Sequence, residues 1–275
     1  MTRLGVFVVP TAVEPDLTVE QIVAADRAGL DLVGVQDHPY QRRFFDTWTL
    51  LSYVAARTER ISLVPDVVCV PLRQPAVLAK AAASLDLLSG GRVELGVGAG
   101  SFWDAIEGFG GPRRTPGESV TALAEAMRIM RAFLDTERSV NLDGEHYRAK
   151  GAKPGPAPAH RVGLWVGAYG PRMLRLTGRL GDGWLPSLGN LTPDEIAARH
   201  ETIDEAARRA GRDPADIVRA VNVGGEDPTV WLDPERVAGL AERYRFDALL
   251  LPVPSENPID HIERLGETAA ALRAG

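Results

Sequence analysis

The sequence predicts a (β/α)8 TIM barrel, and three observations predict it. Short apolar, β-branched runs recur along almost the whole chain and alternate with helical patterns. Several of these runs are continuously apolar, as strands buried on both faces of a parallel sheet must be. Eight of them, each followed by a helical pattern, fit within 275 residues, an ordinary length for this barrel. An open, doubly wound sheet is the alternative, because strand number alone does not show closure.

Strands are expected at residues 4–9, 32–36, 61–65, 93–97, 162–167, 183–186, 219–223 and 248–251. Between them stand helix starts: Thr18 with Gln21, Asp46-Thr47, Thr192-Pro193 and Asp233-Pro234. In each, a capping oxygen precedes the first turn. Asp86 to Gly91 reads as a helix end with a glycine C-cap. Only the interval between the fourth and fifth strands breaks the spacing, so an insertion is expected at about residues 101–161. It contains a helix near 117–134, a hairpin at 141–147 turning at Asp143-Gly144, and a stiff proline-rich linker at 153–158. One domain, residues 1–275, would hold all of this.

A net charge of −6 and a pI near 5.5 favour neither nucleic acid nor an anionic membrane as partner. The apolar run at the N-terminus stops at Pro10, too short for a signal core or a membrane span. A single cysteine, Cys69, leaves no internal disulfide and no cysteine-rich metal site. A cytoplasmic enzyme acting on a small molecule is the expectation.

Asp37-His38 directly follows an apolar strand, at the end where barrel enzymes keep their sites. Imidazole suits proton transfer near neutrality, and Asp37 could hold a ring nitrogen or a cofactor, or simply cap a turn. The other histidines, His146, His160, His200 and His261, form no HxH or HExxH spacing, so no metal site is expected. Two loops follow strands with small residues: Gly96 to Gly100, and Gly167-Ala168-Tyr169-Gly170-Pro171. In the second, a proline opens an amphipathic helix whose free N–H groups suit a phosphate, and Arg172 either reaches it or stays solvated. Asp66 to Arg73 carries the third strand past a proline, which invites a bulge. Tyr40, Phe44, Phe45, Phe102 and Trp103 either line a flat apolar pocket or pack beneath loops. Arg42, Arg43, Arg113 and Arg114 would attract an anion or remain solvated.

Taken in order, these segments resemble the luciferase-like flavin/deazaflavin oxidoreductase superfamily along essentially the whole chain. The carriers are Asp37-His38, Asp46-Thr47-Trp48 with Ala55-Ala56-Arg57-Thr58, Arg73 to Lys80, and Leu85 to Val93. The Gly96 to Gly100 loop, Gly144-Glu145-His146-Tyr147 and the run from Gly167 to Trp184 complete them. Gly-Pro-Arg-Met-Leu ending in Gly-Asp-Gly-Trp is closer to the branch that uses coenzyme F420 than to the FMN-using monooxygenases.

The resemblance implies an oxidoreductase passing a hydride between F420 and a small organic substrate. Its alternative is an FMN-dependent monooxygenase, fed reduced flavin by a separate flavin reductase and consuming oxygen. It further implies a non-prolyl cis peptide behind the ring, at Asp66–Val67, and Asp37, Gly98 and Ala99 near the ring or its tail. Ala168, Tyr169 and Gly170, with Pro171 and Arg172, would hold the phosphate; His38 would transfer the proton; the assembly would be a homodimer. Two departures speak against sugar-phosphate oxidation. Ala99 stands where the sugar-phosphate dehydrogenases carry a glutamate, and Gln41-Arg42-Arg43 where they carry a tryptophan.

Overall fold

In a computed structural model, residues 2–135, 138–224 and 226–274 are described. The strands are β1 (Arg3–Val8), β2 (Leu32–Val35), β3 (Ser62–Pro65), β4 (Val68–Cys69), β5 (Leu95–Gly98), β6 (Val140–Asp143), β7 (Arg148–Ala152), β8 (Leu164–Val166), β9 (Gly183–Trp184), β10 (Val218–Asn222) and β11 (Ala248–Pro252). All but β6 and β7 join one parallel sheet in the order β3-β2-β1-β11-β10-β9-β8-β5-β4. β3 and β4 are two pieces of one strand, so nine segments occupy eight barrel positions. A parallel bridge between Leu63 and Val93 closes the ring, with Leu63 N–H on Arg92 O and Glu94 N–H on Leu63 O. The open-sheet alternative is thereby excluded. Among the described residues, no helix is long and apolar enough to cross a membrane.

Each barrel strand leads to a helix on the outside: α1 (Pro15–Arg27), α2 (Thr47–Ala55), α3 (Pro75–Ser89), α5 (Pro116–Asp135), α6 (Pro171–Leu180), α7 (Pro193–Arg209), α8 (Pro234–Tyr244) and α9 (Pro258–Ala274). α4 (Trp103–Gly108) is an additional short helix. Asp46 caps α2 by accepting from Thr49 N–H at 2.8 Å, Asp233 caps α8, and Thr192 with Glu195 closes a capping box on α7. Gly90 ends α3 with φ +75°, a conformation that costs a glycine little.

Two hydrophobic layers follow from the strands' alternation. Leu32, Val64, Trp165, Leu185, Ala220, Ala248 and Leu250 fill the barrel interior. The larger layer lies between sheet and helices, where Leu4, Val6, Val33, Val35, Leu63 and Leu249 face the helical apolar stripes. Burying each such side chain is worth about 1.5–3 kcal/mol, which is what closes the cylinder.

Two local expectations are corrected. α1 starts at Pro15, ahead of the Thr18-Gln21 signal: proline suits the first helical turn, and the Thr18 hydroxyl instead donates to Thr11 O at 2.8 Å. The hairpin β6–β7 pairs Asp143 with Arg148, so its turn is the four residues 144–147 and not a tight turn at Asp143-Gly144. The Glu125 carboxylate on α5 supplies the reason. It accepts from Glu145, His146 and Tyr147 N–H at 2.8, 2.8 and 3.0 Å, a wider loop than two residues could form. Within the 101–161 insertion, α5 is the regular helix after β5, so α4 and the hairpin are the true additions.

Candidate functional site

Between β3 and β4 the strand breaks at Asp66–Val67, and that peptide is cis, at the position the resemblance implied. Val67 is thereby set among glycines from two neighbouring strands. A Cβ on Gly98 would lie 2.8 Å from Val67 Cγ2, one on Gly167 3.0 Å from the same atom, and one on Gly96 3.1 Å from Val67 Cγ1. Any larger residue would collide with a stiff β-branched side chain. Val67, Gly98 and Gly167 floor a cavity of about 790 Å³ at the C-terminal ends of the strands, within the range of ligand sites. Gln36, His38, Tyr40, Phe102, Tyr169 and Asn222 are among those lining its sides.

His38 and Asp37 reach different surroundings, because neighbouring residues in extended chain point to opposite sides. His38 lies in the cavity, stacked on Tyr40 (centroids 5.4 Å apart, 21° between planes) and edge-on to Phe102 at 5.4 Å. Burial holds its pKa below the ordinary value, against the pull of Asp37, so the ring is neutral at pH 7. Gln36 Nε2 lies 3.2 Å from His38 Nδ1.

The Asp37 carboxylate is only 1% exposed and turns away toward β4 and α3. It accepts Cys69 N–H at 3.0 Å and Arg73 Nη2 at 3.0 Å, and Arg73 also pairs with Asp46 at 2.6 Å. The expectation that both side chains project into the site is corrected for Asp37: its backbone borders the cavity, while its oxygens are spent on the strand break.

Asp66 points inward, hydrogen-bonded to the Asn222 side chain, with Oδ2 buried and, among the described residues, unpartnered. Burial pushes its pKa up to about 7. Burial likewise raises the Cys69 thiol to about 12 and raises the Tyr40 phenol, so both remain protonated. Cys69 is therefore no nucleophile.

The second glycine loop opens α6, with Gly170 as N-cap and Pro171 in its first turn. Tyr169 and Gly170 line the cavity, and their N–H groups find no acceptor among the described residues. Arg172 is exposed at the same helix start and, among the described residues, makes no ion pair. Ala168 is buried, its carbonyl taken by Trp184 Nε1 at 2.9 Å, and neither it nor Pro171 and Arg172 is among the lining residues. Ala99 and Gly98 do line it.

Sequence reasoning missed Gln36, Asn222, Arg73's bridging role and Met173. The first two carried a usable signal: each continues the inward-facing alternation of its strand, Leu32-Gly34-Gln36 and Val218-Ala220-Asn222. Among the described residues, no group of three His, Cys, Asp or Glu side chains is arranged to hold a metal.

This geometry can be set beside known proteins. The model of the luciferase-like monooxygenase family matches residues 1–224. The F420-dependent glucose-6-phosphate dehydrogenase of Gordonia bronchialis is 32% identical over 276 aligned residues, covering 96% of this chain and 80% of that protein. The enzyme of the same name from Segniliparus rotundus is 33% identical over 279, covering 98% and 81%. An F420-dependent secondary alcohol dehydrogenase, solved with an F420–acetone adduct, has a TM-score of 0.86 at 21% identity over 99% of both chains, a likeness of fold. Residues beyond the matched segment supply β11, which sits between β1 and β10 and completes the same barrel. With its cylinder, its broken third strand and a match over most of its length, the chain belongs to the luciferase-like monooxygenase family.

Proposed function

We propose that this chain is an oxidoreductase that uses coenzyme F420 and passes a hydride between it and a small organic substrate. The observation that carries the reading is the Val67 floor, cleared by three glycines, in the same cavity as a neutral His38. Relatives aligned over nearly the full chain are named for F420 dependence, and the whole of residues 1–275 is read as one catalytic domain.

The residues present fit such a group. The floor sets the apolar Val67 side chain beside glycines that carry none, where a planar ring needs backing, and among the described residues the buried Asp66 Oδ2 lacks a partner. When bound, the deazaflavin supplies the hydride chemistry. Val67, Gly98 and Ala99 would back the ring, and the free N–H groups of Tyr169 and Gly170, with the Arg172 cation, would hold the phosphate. Asp37 acts at one remove: by holding Arg73 and Cys69 N–H it keeps the strand break in place. His38 holds or moves the proton. We also read the chain as a cytoplasmic homodimer. Tyr53, Val77, Leu87 and Leu88 on α2 and α3 are more than half exposed, and a second copy would cover them.

Titrating the purified protein with F420 and, separately, FMN while following cofactor fluorescence tests the reading. Saturable F420 binding tighter than FMN binding is expected. FMN preference, or no F420 binding, would overturn it.

A further inference from the structure

We propose that Gln36 fixes His38 as an Nε2–H hydrogen-bond donor, and that the substrate is an uncharged carbonyl compound which this site reduces. The proposal rests on the F420-linked hydride transfer argued above.

Glutamine's Nε2 is an amide nitrogen, which donates and cannot accept. With its amide nitrogen turned to His38 Nδ1 at 3.2 Å, Gln36 requires that nitrogen to carry a lone pair, whereas the opposite turn, Oε1 to Nδ1, would place the ring proton on Nδ1. A neutral imidazole holds one proton, so that proton is on Nε2. The ring's low proton affinity, caused by burial, keeps the doubly protonated form out of the resting state. Among the described residues nothing else bonds to Nε2.

A donor at that place suits a carbonyl oxygen. In the reductive step the carbonyl carbon gains a hydride from the reduced deazaflavin, which is oxidised by two electrons. A C–H bond forms, the C=O π pair moves to oxygen, that oxygen takes the Nε2 proton, and water restores a proton to His38. A neutral imidazole can act in this way.

The cavity also argues that the substrate carries no negative charge. Among the described residues, none of its lining residues is lysine or arginine. Apart from Arg172, assigned above to the cofactor phosphate, the arginines that would attract an anion lie elsewhere. Arg42 and Arg43 are exposed outside the lining, Arg113 pairs with Asp104 and Glu107, and Arg114 is buried against Tyr147. The rings of Tyr40 and Phe102 beside His38 instead offer apolar surface.

Long-range 1H–15N spectra of the cofactor-free, 15N-histidine-labelled protein test the tautomer, with His38→Asn to assign the signal. The Nε2–H pattern is expected for His38. In Gln36→Glu, a carboxylate that only accepts, the proton should move to Nδ1 or the ring should charge. An Nδ1–H pattern in the unaltered protein would overturn the proposal. With F420 loaded, reduced cofactor should turn over with cyclohexanone, and Gln36→Glu should lower kcat by about tenfold or more with F420 affinity unchanged by fluorescence. Faster oxidation of glucose 6-phosphate than reduction of the ketone would overturn the substrate class. If F420 fails to bind, the proposed function falls, and the tautomer spectrum still decides the role of Gln36.

Discussion

Val67 Cγ2 lies 2.8 Å from where a Cβ on Gly98 would stand, so one methyl group decides whether the floor of the cavity keeps its shape. Gly98→Ala should push Val67 or the β5 strand end aside, since a β-branched side chain has few rotamers to retreat into. The expected result is a loss of F420 affinity of about tenfold or more, with a destabilisation of about 1–3 kcal/mol from overpacking. Fluorescence titration and urea unfolding of the same preparation measure both.

Arg73 reaches the buried Asp37 and the half-exposed Asp46 at once, joining the segment before α3 to the end of β2 and the start of α2. Removing the cation leaves Asp37 charged and buried beside a single N–H donor. Arg73→Met should therefore cost about 3 kcal/mol, the usual penalty for breaking a buried pair from one side. Arg73→Met combined with Asp37→Asn should recover part of that loss. An undiminished unfolding free energy in the single variant would show that the pair contributes little.

His38 is the titratable ring that borders the cavity floor and shares it with Val67. His38→Ala should lower turnover by about 10²–10⁴-fold, the range for a lost general acid or base. F420 affinity should change little, because the floor and the α6 start are untouched. Steady-state kinetics beside the titration separates the two effects.

Asp66 should leave a mark on the pH dependence of stability. Its carboxyl starts at 3.8 in the unfolded chain and is pushed up to about 7 by burial, so the folded state binds the extra proton between those values. Its contribution is complete below about pH 4 and is lost as pH rises through about 7. His200, lowered to about 4, and the lowered His38 and His261 act oppositely, adding stability as pH rises toward 6.5. Asp66→Asn removes only the first effect. The variant should therefore gain stability relative to the unaltered protein between pH 5 and pH 8 in urea unfolding. A difference that stays flat across that interval would show that the carboxyl is not perturbed.

Most of the barrel was legible because its strands are short and apolar on both faces. Leu32 to Val35 and Leu95 to Gly98 are buried at every position. The α6 start was legible in Pro171 after a run of small residues and the irregular third strand in its proline, while the cis peptide at Asp66–Val67 was legible through the family resemblance. Val93 was placed inside the fourth strand; it instead forms the isolated bridge to Leu63 that closes the cylinder.

The chain alone determined the order of strands and helices, the place of the irregular third strand and the type of side chain at its end. Those depend on neighbours within a few residues, where periodicity, proline and glycine act directly. The tertiary structure alone decided that Asp37 serves Arg73 while His38 serves the cavity, that Gln36 sits against the imidazole, and that Asp66 is shut in with Asn222. Each depends on which side of a strand the closed cylinder turns inward, and on how far burial raises the cost of a charge there.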